Sequence, residues 1–467
     1  MRFEFELSLP RSLKPQIKNM STLLILNARI VNEGIIIEKD VFIKDGLIDK
    51  IDGDLSHLAA DKIIDGTGRF ILPGVIDDQV HFREPGLTHK GNLYTEPRAA
   101  VAGGVTSFME MPNTVPNALT QELLQDKYDI ANKSSLANYS FFMGTSNDNY
   151  DEVMRTDVKN ICGLKIFMGS STGNMLVDDE ATLSRIFANF PTLIATHCED
   201  EAIVKARNEK YKVLYGDAAT EDIPYDIHAL IRNEEGCYKS SSFAVELAKR
   251  HDTRLHILHL SSTEELELFD NTIPLAEKKI TAEICVHHLW FDAEDYKRLG
   301  TKIKCNPAIK HNHRDNLFAA MLDNRLDIIA TDHAPHAVEE KSPNYWKAHA
   351  GLPLIQHTLL AMLDFAKQGK ISIERVVEKM CHAPATCFQI NRRGFIREGY
   401  WADLTLVDLM DQTTVTKENI LFKCGWSPFE GHTFPAAITH TIVSGHLAYE
   451  NGIFNESEKG KRMTFDR

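Results

Sequence analysis

Four absences narrow the reading of this chain before any motif is considered. No apolar run approaches the roughly 18 residues that would suggest a membrane span. The opening residues, MRFEFELSLPRSLKPQIKN, lack the apolar block and small-residue cleavage site of a signal peptide, so a cytoplasmic location is expected. Basic residues form no block either. The 52 Lys and Arg are scattered against 66 Asp and Glu, for a net charge of -14, which argues against nucleic acid or an anionic membrane as partner and for an enzyme of small molecules. Close cysteine pairs are also missing. Cys162, Cys198, Cys237, Cys285, Cys305, Cys381, Cys387 and Cys424 form no C-x-x-C, and several sit in apolar strands, so reduced, buried thiols are expected.

What is present is enough apolar residue, 43% of 467, to fill one large barrel and a smaller accessory unit. Residues 1–19 have no pattern and are expected to be an accessory tail or to reflect a start site placed too early. From Thr22 to Leu72 the runs LLILNARIV, IIIEKDVFI and KIIDG read as strands, with a hairpin turn at Lys44-Asp45-Gly46. Eight apolar runs follow: ILPGVID, VTSFMEM, YSFFMG, GLKIFM, TLIATH, RLHILHL, ITAEICVHH and LDIIATD. They alternate with helix-like stretches such as QELLQDKYDIANK and SSFAVELAKR, the rhythm of a parallel sheet closed into a TIM-like (β/α)8 barrel. After Arg393 strand-like runs return (GFIREG, WADLTLVDL, THTIVSGHLAYENG). The expected α/β organisation is a barrel over 73–393 beside a small β-sandwich built by both chain ends, 20–72 and 394–467.

Chemistry-bearing residues gather where these strands should end. Gln79, His81 and Arg83 lie two apart and share a face of an extended chain. Lys165 interrupts GLKIFM, facing the interior opposite Leu164 and Ile166. Burial lowers a lysine's pKa, and the free amine can take up carbon dioxide to become a carbamate that bridges two metals. His197 closes TLIATH and His259 closes RLHILHL, neutral imidazoles suited to Zn²⁺. Asp332, at the end of LDIIATD, can serve as ligand and general base beside a metal-bound hydroxide. Singly, each has a plainer reading: His81 as a hydrogen-bonded core histidine, Lys165 as the partner of a carboxylate. His256, out of phase with His259, is expected to face the helix layer, and Cys198 to be a small buried apolar group. The ordered set carries the case.

The stretches PGVIDDQVHFREPG, AGGVTSFMEMPNT, GLKIFMGSS, ATHCED, HILHLSS, KCNPAIK, ATDHAPH, GYWADLTLVDL and WSPFEG, in this order from about Thr22 to Asn451, resemble the class I dihydroorotases of the amidohydrolase superfamily. The resemblance implies reversible cyclisation of N-carbamoyl-L-aspartate to L-dihydroorotate, a step of pyrimidine synthesis, at a zinc centre. By position, His81 would bind the more exposed metal, carboxylated Lys165 would bridge, His197 and His259 would hold the second metal, and Asp332 would be ligand and proton shuttle. Arg83, Asn113, Asn306 and His336 would bind substrate beside the backbone at Gly351. Arg83 offers a planar fork for an exocyclic carboxylate that hydantoin, dihydropyrimidine and allantoin rings lack. Self-association, as a dimer, and docking with aspartate carbamoyltransferase are further implications.

One departure stands out. The family's His-x-His reads Gln79-Val80-His81 here, and an amide oxygen is a poorer zinc ligand than imidazole. One or two zinc ions per chain are therefore expected, with the His81 and Asp332 site the weaker. Two alternatives stand beside an active dihydroorotase: a hydantoinase or allantoinase, and an inactive homologue kept as a scaffold for the carbamoyltransferase.

Overall fold

The computed structural model describes residues 22–170, 173–216, 223–342 and 344–467; the leader 1–19 lies outside them. Strand Thr22–Asn32 pairs antiparallel with Ile35–Lys44, which folds back onto Leu47–Asp52 across Asp45 and Gly46. Both turn residues have positive φ, 52° and 85°, the turn whose twist matches that of paired strands. Phe70–Pro73 joins Thr22–Asn32 in parallel and Leu404–Asp408 in antiparallel register, and Ala437–Val443 with His446–Glu450 extends the ladder. Both chain ends thus meet in one continuous nine-stranded sheet, and two separate stacked sheets are not seen among the described residues. Alternation gives each face a purpose. Ile71, Leu404 and Leu406 enclose a small core with Ile25 and Ile43, while Phe70, Leu72 and Val407 join the main core. The expected strand GFIREG is absent from the ladder: Arg392, Gly394 and Gly399 all take positive φ, and the chain turns there instead.

Beyond Gly74 the architecture changes. A Cβ at Gly74 would stand 2.1 Å from Thr106 Oγ1, so a residue without one lets the chain cross from the end sheet into the parallel array. The run ILPGVID is accordingly split: Phe70–Pro73 belongs to the end sheet, Val75–Val80 to the array. Val75–Val80, Val105–Glu110 and Asn138–Phe141 form one parallel ladder. Met143–Gly144, Leu164–Phe167, Ile194–His197, Leu255–Ile257, Ile280–Cys285 and Ile328–Ala330 form another. Only Phe142 separates the two along the chain, and a parallel bridge from Val80 to His333 brings the first strand to the end of the last. Helices such as Gln121–Ser134 and Glu234–His251 lie between strands, their first turns capped by Thr120 and Asn233. The arrangement is a TIM-barrel-like α/β fold. Ile76, Met109, Phe142, Ala195, Leu258 and Ile328 fill its interior above Phe388, so polar side chains beyond them are raised toward the strand ends. No helix among the described residues is long and apolar enough to cross a membrane.

Candidate active site

Gln79, His81, Arg83, Asn113, Lys165, His197, His259, Asn306, Asp332, His336 and Gly351, scattered over more than half of the chain, line one cavity of about 230 Å³ at the strand ends. The backbone there is unusual. Arg83, His259 and Asp332 have φ of 73°, 41° and 47°, a region that costs non-glycine residues about 1–3 kcal/mol and persists only where the surroundings impose it. The turn after each strand aims the side chain into the cavity. Gly351, at φ 139°, has no room for a Cβ, which would lie 2.4 Å from the Ala334 carbonyl oxygen.

His197 and His259 face each other, Nδ1 to Nε2, at 2.8 Å. The Glu199 carboxylate accepts a hydrogen bond from His197 Nε2 at 2.8 Å, which leaves Nδ1 of the neutral ring with its lone pair toward His259. Burial depresses both imidazoles, His259 far below the usual value, so both are neutral. His259 Nδ1 is buried without a hydrogen-bond partner among the described residues. Lys165 lies beside them, 1% exposed; among the described residues its amine has no hydrogen bond or ion pair, only the Phe167 ring at 4.4 Å. Burial pulls it down to about 7. Two neutral imidazoles turned together and an unpaired amine fit a divalent cation once the lysine carries an anionic group.

Across the cavity His81 Nδ1 donates to Asn113 Oδ1 at 2.7 Å and its Nε2 lies 3.1 Å from Asp332 Oδ1. Burial pushes the Asp332 carboxyl up, but the His81 contact and neighbouring imidazoles outweigh it and hold it below the usual value. Gln79 Nε2 donates to the same Asp332 oxygen at 3.3 Å. Asn113 therefore orients His81 as well as facing the cavity, and Gln79 shares Asp332 Oδ1 with His81.

The opposite wall is cationic. Arg83, 8% exposed, donates through Nε to the Pro335 carbonyl at 3.0 Å and places Nη2 3.1 Å from His336 Nε2, with no carboxylate in ion-pair range among the described residues. Lys90 donates to His336 Nδ1 at 3.1 Å and pairs with Glu340 at 3.0 Å. His336 is neutral, held well below its usual value first by burial and then by Arg83 and Lys90. Asn306 Oδ1 is buried with no hydrogen-bond partner among the described residues.

Several residues here went unread in the sequence. Glu199 sits two positions after His197 in ATHCED, on the same face, a spacing that points to it as the orienting carboxylate. Arg232 pairs with Glu199 at 2.5 Å and also reaches Ser170, and Lys90 supports His336; neither lies in a motif. His256 corrects an expectation. It lies inside the barrel, not against the helix layer, with Nε2 3.3 Å from both Asp78 on the first strand and Glu283 on the seventh. The seventh strand is hydrogen-bonded to the His256 strand, but the first is not, so the Asp78 contact crosses the interior. Cys198 is buried, with burial raising its thiol to about 11.

A family model described as "Amidohydrolase family" matches residues 70–448. The chain belongs to the amidohydrolase family. Among curated amidohydrolase relatives, a protein named dihydroorotase from Methanosphaera stadtmanae is 30% identical over 94% of this chain and 99% of its own length. One of the same name from Methanosarcina acetivorans is 31% identical over 93% and 94%. Among solved structures, the L-hydantoinase (dihydropyrimidinase) of Arthrobacter aurescens superposes with a TM-score of 0.86 at 27% identity, covering 93% of this chain and 97% of that one. This amidohydrolase therefore shares its fold and nearly its whole length with enzymes named for cyclic amides.

Proposed function

We propose that the chain is a dihydroorotase, interconverting N-carbamoyl-L-aspartate and L-dihydroorotate. The observation that carries this reading is Arg83: a buried guanidinium, without a carboxylate partner among the described residues, on the wall of a cavity otherwise fitted for amide hydrolysis. Such a cation calls for an anionic substrate group, and the exocyclic carboxylate of dihydroorotate supplies one.

Lys165 as a carbamate with His197 and His259 would hold one zinc ion, and His81 with Asp332 a weaker second. Zinc bound there supplies Lewis acidity toward water and the ring carbonyl. The protein's own groups do the rest. Arg83, with Asn306 and the backbone at Gly351, fixes the ring by its carboxylate and amide edges. Asp332 Oδ1 accepts the proton of the attacking water. It returns that proton to the ring nitrogen as the carbon–nitrogen bond opens, and cyclisation reverses each transfer. Glu199, through His197, and Asn113, through His81, keep the imidazoles in one tautomer.

The same reading takes 73–393 as a closed (β/α)8 barrel, and 20–72 with 394–467 as an accessory sandwich coiled around its own core. It also includes a cytoplasmic setting, a dimer, and docking with aspartate carbamoyltransferase, the last two read by light scattering with and without the transferase.

The test is substrate choice. Dihydroorotate is expected to turn over and dihydrouracil, hydantoin and allantoin to react poorly. Arg83→Met is expected to lose about 30-fold or more in kcat/KM for dihydroorotate, the cost of removing one partner of a buried charge pair, with little change for dihydrouracil. Preference for an uncharged ring would establish the hydantoinase alternative, and no turnover by zinc-loaded protein the scaffold alternative.

A further inference from the structure

A second group of ligand-type side chains lies beyond the cavity wall, behind Gln79. Cys285 ends the seventh barrel strand, and His287 and His288 follow in the short helix Val286–Trp290. One donor atom from each lies within 4.8 Å of the others, and the residues are 0%, 1% and 3% exposed. Their hydrogen bonding is incomplete. Among the described residues neither ring nitrogen of His287 has a hydrogen bond of good geometry, the Thr331 backbone being the one polar group that acts on the ring at hydrogen-bond range, and His288 Nδ1 is buried without a partner. His288 Nε2 donates to the Pro307 carbonyl at 3.2 Å, which fixes the tautomer with a lone pair on Nδ1. A backbone carbonyl holding the far nitrogen is the usual support of a metal-bound histidine. Buried imidazole nitrogens left unpaired cost stability unless something engages them.

Gln79 borders the group at Cys285. Asp332 only accepts, so the Gln79 amide must turn its NH₂ to Asp332 and its carbonyl oxygen the other way; Oε1 lies 3.9 Å from Cys285 Sγ. We propose that Cys285, His287 and His288, with Gln79 Oε1 as a fourth donor, form a buried site for a thiophilic divalent cation such as Zn²⁺. Cation entry forms a bond to Sγ and releases the Cys285 thiol proton to solvent, leaving one thiolate, two neutral imidazoles and an amide oxygen around the metal. The cavity, lined on this side by Gln79, is the way in. The site uses none of the five ligand positions assigned above and does not depend on the reaction catalysed.

Sulfur distinguishes it, because the catalytic positions offer only nitrogen and oxygen. Metal-stripped full-length protein is titrated with Co²⁺ alone, and the near-ultraviolet thiolate-to-cobalt band is followed in wild type, Cys285→Ser and Cys198→Ser. The band is expected in wild type and Cys198→Ser and lost in Cys285→Ser. No band in wild type, or one that survives Cys285→Ser, overturns the site. If Cys285→Ser does not fold, X-ray absorption of the zinc-loaded wild type decides: a zinc–sulfur distance of about 2.3 Å supports the site, and nitrogen and oxygen neighbours alone overturn it. Dihydroorotate turnover on the same wild-type sample keeps the two proposals apart, since turnover and sulfur ligation can each fail while the other stands.

Discussion

Gln79 is where this chain departs from the pattern it otherwise follows, and its consequences are local. An amide donates to Asp332 where an imidazole would offer a lone pair to metal. Gln79→His is expected to tighten zinc binding at the His81 and Asp332 site by about tenfold or more, raising zinc retained after dialysis, measured by mass spectrometry on the same sample as its sulfur ligation. Lys165 makes a second residue-level prediction. Its folded pKa is lowered to about 7 by burial; the ammonium cannot attack carbon dioxide, so the reactive form dominates above pH 7 and falls about tenfold per unit below it. At fixed dissolved carbon dioxide, carbamate formation in metal-free protein, followed by isotope-edited carbon NMR, is expected to be about tenfold slower at pH 6 than at pH 8. A flat profile would remove the unpaired amine from the account. Lys165 and the two histidines were legible because each breaks or ends an apolar run. Glu199 was not singled out, because a carboxylate after a strand usually means solvent.

Elements matter here through what anchors their ends. Glu110, the last residue of the second barrel strand, accepts from the Phe82 N–H at 2.9 Å and pairs at 3.1 Å with Lys127 of helix Gln121–Ser134, both side chains being 0–1% exposed. The helix thereby steadies the segment that carries His81 and Arg83. Lys127→Met is expected to cost about 3–5 kcal/mol, because it leaves Glu110 charged or protonated in an apolar setting, read by urea unfolding. It should also weaken dihydroorotate binding more than turnover. A change under 1 kcal/mol would mean the pair is not integral to the fold. Periodicity gave away most strands and the helices Gln121–Ser134 and Glu234–His251. It failed at ILPGVID because the apolar pattern runs unbroken through Gly74, and only the approach of Thr106 shows why the chain changes sheets there. His256 failed for a related reason. Simple alternation from His259 ignores the left-handed turn at that residue, which resets the phase.

On the scale of the molecule, the two ends of the chain close one sheet beside the parallel array, and most strands of that array end beside residues that line the cavity. The order of strands and the convergence of their ends could be read from the chain. The pairing of the end sheet and the cationic wall behind Arg83 could not, since Lys90 and His336 are brought together from distant parts of the chain. In the proposed function that wall is what selects an anionic substrate. The most direct measurement is kcat/KM for dihydroorotate against dihydrouracil on one zinc-loaded preparation. The account predicts a strong preference for dihydroorotate that Arg83→Met abolishes. Equal or better turnover of dihydrouracil, unmoved by Arg83→Met, would contradict it.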